Sequence, residues 1–213
     1  MSGTAKRRYH APAREESAER TRTAIVRAAK EQFEERGWSA ATMRAISEYA
    51  GVSQKTAEAI FGTKAALLQR VVEFAIRGDI DPTPVNDRPP AREMEEAATA
   101  ARFLRLHAAH LRRVHSGSAR IAAVVEQAAL SDAAAAALWE QMTHNRRAGT
   151  TWATNRLLSK PRTDHLDAED AWRVFWLALD WRTYRTLTDD AGLDADGYEA
   201  WIAEYYRRMF ARR

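Results

Sequence analysis

Between Ser53 and Ile60 the chain reads S-Q-K-T-A-E-A-I, and Gln54, Lys55 and Thr56 offer an amide, an ammonium and a hydroxyl in succession. Glu58 adds a carboxylate two residues on. On a helix held from the other side by Ile60, these side chains share an outward face. Such a face suits base edges in a duplex major groove, where each base pair presents its own donor and acceptor pattern. The bland alternative is the solvated face of an ordinary helical hairpin. What precedes the face decides between the two.

Upstream stands A-G-V-S, residues Ala50 to Ser53, behind a first short helix that Thr42 can cap through its hydroxyl. That helix runs through Ala50, with Met43, Ile46 and Tyr49 expected inward. Ala50 is small enough for two helices to cross closely, Gly51 relaxes the turn and Val52 plugs the space beneath it. Ser53 then caps the second helix, Gln54 to Phe61. Two short helices joined in this way read as a helix-turn-helix. A longer helix from about Glu16 to Arg36, with Ile25, Ala28, Ala29 and Phe33 at helical spacing, is expected to pack against them. Gly37 suits the position that ends it. Gly62 breaks the second helix, and Lys64 to Arg77 forms the next.

Charge follows the same division. Residues 1–78 hold 14 Lys and Arg against 9 Asp and Glu, a net of +5, while the remainder hold 19 against 20. Any attraction for a polyanion therefore lies in the N-terminal third. With 213 residues, 43 of them alanine, and only nine Gly and six Pro, the chain reads as all-α. Residues 1–15 are expected to form a flexible basic arm and 16–78 the helix-turn-helix domain with its connecting helix. D-I-D-P-T-P-V-N-D-R-P-P, residues 79–90, reads as a non-helical linker, and 91–213 as a second helical domain. Helices are expected at 91–115 (as one helix or broken into two), 118–130, 132–159, 168–187 and 198–212, with a break at S-G-S, 116–118.

A mean hydropathy of −0.53 and the lack of any apolar run near about 20 residues argue against a membrane span and fit a cytoplasmic location. Zero cysteines exclude disulfides and thiolate chemistry. His107 and His110 sit three apart on a helix, yet neither Glu-x-x-His nor His-Glu-x-x-His accompanies them. There is also no phosphate-binding glycine loop and no G-x-S-x-G elbow. No catalytic residue, metal or cofactor is assigned.

The residues from about Arg20 to Phe74 resemble the TetR-type transcriptional regulators. The resemblance rests on F-x-E-R-G-W (Phe33 to Trp38), A-T-M-R-A-I (Ala41 to Ile46), A-G-V-S, and F-x-x-K-x-x-L-L ending at Leu67 and Leu68. It implies a homodimer that binds double-stranded DNA at a palindromic operator, most often as a repressor, and releases it on binding a small molecule. Thr42 and Lys64 are the implied phosphate contacts, with Arg44 a further candidate. Ser53, Gln54, Lys55, Thr56 and Glu58 form the implied recognition surface. Two positions depart from the family, which places a leucine and then an aromatic where this chain has Ala57 and Glu58. A second reading follows from them: a ligand-binding helical dimer without specific DNA recognition.

In the C-terminal region two further features stand out. Phe103, His107 and His110 on one helix, Trp139 and Met142 on another, and Trp172 and Trp176 on a third suit a pocket for an apolar or aromatic effector. Along 168–187, Trp172, Phe175, Trp176, Leu179 and Thr183 form one stripe, and Val174, Leu177, Trp181 and Tyr184 another. A helix apolar on two sides needs burial twice, either wholly inside the monomer core or, as the resemblance to the TetR-type regulators implies, in a homodimer through 132–158 and 168–187.

Overall fold

The computed structural model describes residues 11–78 and 88–211 and contains helices and no strand among them. In chain order these are α1 (Ala11–Ala40), α2 (Met43–Tyr49), α3 (Gln54–Phe61), α4 (Lys64–Arg77), α5 (Pro89–Glu96), α6 (Ala100–Ala129), α7 (Ala133–Leu158), α8 (Ala168–Ala178), α9 (Trp181–Arg185) and α10 (Ala195–Met209). A π turn, Thr186–Asp190, follows α9. The chain divides into two compact units at Val71/Val72, inside α4 rather than at Gly78.

The first unit gathers α1, α2, α3 and the start of α4 around Ile25, Ala29, Phe33, Ile46, Ala57, Leu67 and Leu68, all with no exposure. Gly37, at φ 71, kinks α1 just before Trp38. That left-handed backbone costs glycine little, and it lets the Trp38 ring turn back to stack 5.9 Å from Phe33. Helix α1 already begins at Ala11, so the expected flexible arm of residues 1–15 gives way to helix over its last five residues. Lys6, Arg7 and Arg8 lie outside the described residues.

The second unit is built on α6, which packs against α5, α7, α9 and α10. Its core includes Met94, Phe103, Leu111, Leu157, Phe175, Tyr198, Ile202 and Tyr206. Three expectations are corrected here. Pro89 and Pro90 open α5 instead of closing a linker, because the first helical turn has no use for the N–H that proline lacks. Residues 79–87 of that expected linker lie outside the described residues. S-G-S at 116–118 is no break: α6 runs straight through it. A Cβ on Gly117 would stand 2.4 Å from the Ala75 carbonyl oxygen, so the glycine marks where the end of α4 and α6 touch backbone to backbone. Finally, 168–187 is not one helix. α8 ends at Ala178 with Leu179 as its C-cap, and the Asp180 side chain caps α9 through the Arg182 amide. Trp181 and Tyr184 therefore do not continue a stripe begun by Val174 and Leu177, and no single helix with two apolar stripes spans 168–187. No helix among the described residues is long and apolar enough to cross a membrane.

Candidate functional site

The helix-turn-helix is held by caps at both helix starts. Thr42 Oγ1 accepts from the Ala45 amide at 3.1 Å, and Ser53 Oγ accepts from the Thr56 amide at 3.1 Å. Gly51 takes φ 70 between them. Ile46 and Ala57 are fully buried, and the buried Ser47 satisfies its hydroxyl on the Met43 carbonyl at 2.7 Å. Tyr49 corrects an expectation: 58 % exposed, it points outward and donates to Glu31 at 2.7 Å. That bond and the neighbouring negative charge raise the Tyr49 pKa.

With Ala57 turned inward, Ser53, Gln54, Lys55 and Glu58 are exposed and Thr56 is half-buried. The face is internally bonded. Gln54 Nε2 donates to Glu58 Oε1 at 2.6 Å, and the Ser53 and Thr56 hydroxyls lie 2.8 Å apart. Lys55 has no such partner among the described residues, so its ammonium projects alone. On α2, exposed Arg44 pairs with Glu48 at 3.2 Å. Lys64 turns toward its own unit. Its Nζ donates to the Trp38 carbonyl at 2.7 Å and sits 3.9 Å from the centre of the Trp38 ring.

The seven aromatic, histidine and methionine candidates of the second unit separate into groups. Phe103, His107 and His110 are neighbours along α6, with ring centroids 5.9 Å and 6.4 Å apart in turn. Trp172 and Trp176 stack at 5.1 Å on α8, where Arg146 lies 3.7 Å over Trp176. Trp139 and Met142 are half-buried on α7, and the Arg182 guanidinium stands 5.5 Å from the Trp139 ring. None of the seven lies on the wall of a cavity of about 510 Å³ that the unit does contain. That cavity lies between the start of α6, α10 and residues 162–166.

Sequence reasoning missed the partners of the buried histidines. His107 Nδ1 bonds the Tyr206 hydroxyl at 2.9 Å, and His115 Nδ1 bonds the Tyr198 hydroxyl at 3.0 Å. The spacing of eight residues recurs on both helices, and it is a signal only once α6 and α10 are known to run antiparallel. Burial pushes the His107 pKa down to about 3 and those of His110 and His115 to about 4. All three are therefore neutral near pH 7. Burial also raises the Tyr198 and Tyr206 hydroxyls.

Residues 25–71 match the model of the bacterial regulatory proteins of the tetR family. Among solved structures, NalD, the secondary repressor of the MexAB-OprM multidrug efflux pump in Pseudomonas aeruginosa, superposes with a TM-score of 0.61 at 19 % identity, over 92 % of this chain and 98 % of that one. A Rhodococcus sp. protein described as a TetR-family transcriptional regulator gives 0.63 at 14 %, over 91 % and 100 %. A mutant of HlyIIR gives 0.62 at 14 %, over 92 % and 98 %. These likenesses extend the shared fold across both units. No protein of curated function matches the sequence. Over residues 25–71 the chain is therefore similar to the tetR family of bacterial regulatory proteins, and across the rest the likeness is one of fold.

Proposed function

We propose that the chain is a ligand-responsive transcriptional repressor that binds a palindromic DNA operator as a homodimer. The observation that carries this reading is the exposed polar face of α3, capped by Ser53 and set on a buried Ala57, within the residues that the family model matches. Gln54 and Thr56 read base edges, Lys55 reaches base edges and the flanking phosphates, and Glu58 accepts from cytosine N4 once Gln54 releases it. The Thr42 hydroxyl, Arg44 and the Lys64 ammonium take backbone phosphates, which set register without carrying sequence information. Repression is carried over from NalD, whose name makes it a repressor.

For the homodimer, support comes from apolar side chains left exposed on the second unit. Leu177 on α8 is 56 % exposed, and Trp201 and Met209 on α10 are 42 % and 52 % exposed. The interface expected at 132–158 and 168–187 is thus proposed on α8 and α10. Full burial of such a side chain contributes roughly 1.5–3 kcal/mol, and covering the half still exposed here about half of that. The Gln54–Glu58 bond favours a second reading, a ligand-binding dimer without specific DNA recognition, because it occupies the most versatile base-reading side chain.

Selection of duplexes from a random pool by the full-length protein tests both. A palindrome whose half-sites lie about one helical turn apart supports the repressor reading. Recovery of no sequence above the level expected for a generic polyanion favours the second.

A further inference from the structure

The mouth of the 510 Å³ cavity carries three arginines, Arg105, Arg162 and Arg207, against one carboxylate, Glu204. Glu204 is already matched: Arg207 donates to both its oxygens at 2.6 Å and Arg208 to one of them at 2.6 Å. Those two cations hold its pKa down to about 2. Arg105 and Arg162 have no hydrogen-bond or ion-pair partner among the described residues. Arg162 also adopts φ 64, alone among the described non-glycine residues in taking a positive φ. A side-chain-bearing residue held in that region stores local strain, which tends to mark binding sites.

Below the mouth the chemistry changes. Leu104, Leu157, Leu166 and Phe210 make the wall apolar, and Tyr206 lines it while its hydroxyl is bonded to His107. Ala100 and Ala101, the first residues of the thirty-residue α6, also line the cavity. A helix start of this kind presents amides without intrahelical partners and a positive dipole end.

We propose that this cavity binds an amphipathic carboxylate, with its alkyl or aryl body among the leucines and Phe210 and its carboxylate held at the mouth by Arg105 and Arg162. The volume falls within the range of about 300–1,000 Å³ typical of small-molecule sites. Guanidinium forks match a carboxylate in bidentate geometry. A neutral amphiphile leaves both cations unmatched, and a cationic one is repelled. The role of the site as the effector site rests on the regulatory reading above; the binding does not.

Calorimetric titration of the full-length protein with decanoate, decan-1-ol and decyltrimethylammonium tests the proposal. Decanoate binds once per chain, and decan-1-ol at least about tenfold more weakly, the ratio expected from one charge-assisted contact. Arg162→Gly keeps the left-handed backbone without the charge. It and Arg105→Ala each weaken decanoate about tenfold and leave decan-1-ol unchanged. Ala203→Trp fills the cavity and removes binding of both, with thermal unfolding as a check on the fold. Equal affinities for decanoate and decan-1-ol, indifference to both arginine substitutions, or no binding by any probe overturns the proposal. Duplex affinity is read separately. A protein that binds decanoate but no duplex sinks the regulatory reading alone, and one that binds a selected duplex but not decanoate sinks this proposal alone.

Discussion

Lys64 and Trp38 are bound twice over: the ammonium donates to the tryptophan's carbonyl at 2.7 Å and lies 3.9 Å from the centre of its ring. Trp38 is 6 % exposed, so the carbonyl and the ring are both held away from competing water. The pairing ties the start of α4 to the turn after the α1 kink, and the helix-turn-helix lies between those two points in sequence. Lys64→Met keeps the aliphatic stem and removes the charge. It is expected to lower the unfolding free energy by about 1–3 kcal/mol, the worth of a charge-assisted hydrogen bond with a cation–π contact. Urea unfolding that leaves the midpoint unchanged would show that the pairing contributes nothing.

Lys55 is the α3 cation that projects without a partner among the described residues, so its effect on DNA is electrostatic. Lys55→Ala is expected to weaken all duplexes and to flatten the log–log dependence of affinity on salt by about 0.9 per lost phosphate contact. An unaltered slope in fluorescence anisotropy titrations would place Lys55 off the phosphates.

The bond from Gln54 to Glu58 must open before Gln54 can meet a base. Glu58→Ala removes both that competition and a like charge facing phosphate, so affinity for duplexes unrelated to the operator rises several-fold while the preference for cytosine at its base pair is lost. Gln54→Ala instead relaxes discrimination at one base pair per half-site, by about 1–3 kcal/mol. Binding to a panel of single-base operator variants separates the two. Uniform weakening by Gln54→Ala would count against base readout.

The buried histidines make the second unit acid-sensitive. Their folded pKa values, about 3 for His107 and about 4 for His110 and His115, lie below the unfolded value of roughly 6.5. Below pH 6.5 the unfolded chain binds more protons than the folded one, so stability falls as pH falls. The loss levels off only below the folded values, and at pH 5 it amounts to about 2 kcal/mol for each of the buried His107 and His115 and to less for the half-buried His110. NMR titration of the histidine ring protons is the direct measurement. A resonance from any of the three that titrates near pH 6.5 in the folded protein would contradict the assignment.

Two glycines inside helices should respond oppositely to alanine. At Gly117 the added carbon meets the Ala75 backbone oxygen at 2.4 Å, and a backbone atom cannot step aside, so Gly117→Ala costs about 1–3 kcal/mol. At Gly149 it meets only the Leu179 Cδ2 at 3.3 Å, a side-chain atom free to give way. Gly149→Ala then gains helix propensity, up to about 1 kcal/mol. Paired thermal melts that show the same sign for both would refute this.

The sequence alone determined the local elements of the first unit, because each is written in neighbouring residues. Thr42 and Ser53 cap through amides three positions on, Gly51 supplies the turn, and the alternation of Ile46 and Ala57 with polar neighbours fixes which side is buried. Tyr49 escaped this logic because its partner, Glu31, lies on another helix. In the second unit, long-range contacts decided. S-G-S reads as a break until Ala75 is seen against Gly117, after which the missing side chain is the reason the helix can continue. Segment 168–187 reads as one helix because its apolar residues recur at helical spacing, yet Asp180, with its side chain accepting from the Arg182 amide and paired to Arg146 at 2.8 Å, starts a new one. The aromatic residues of α6, α7 and α8 announce burial but not which of them meet. Periodicity reports which side of a helix is apolar, whereas a cavity is set by the order in which several helices pack. That order placed Arg105 and Arg162 beside Leu157 and Phe210, residues far apart in sequence that no local pattern links.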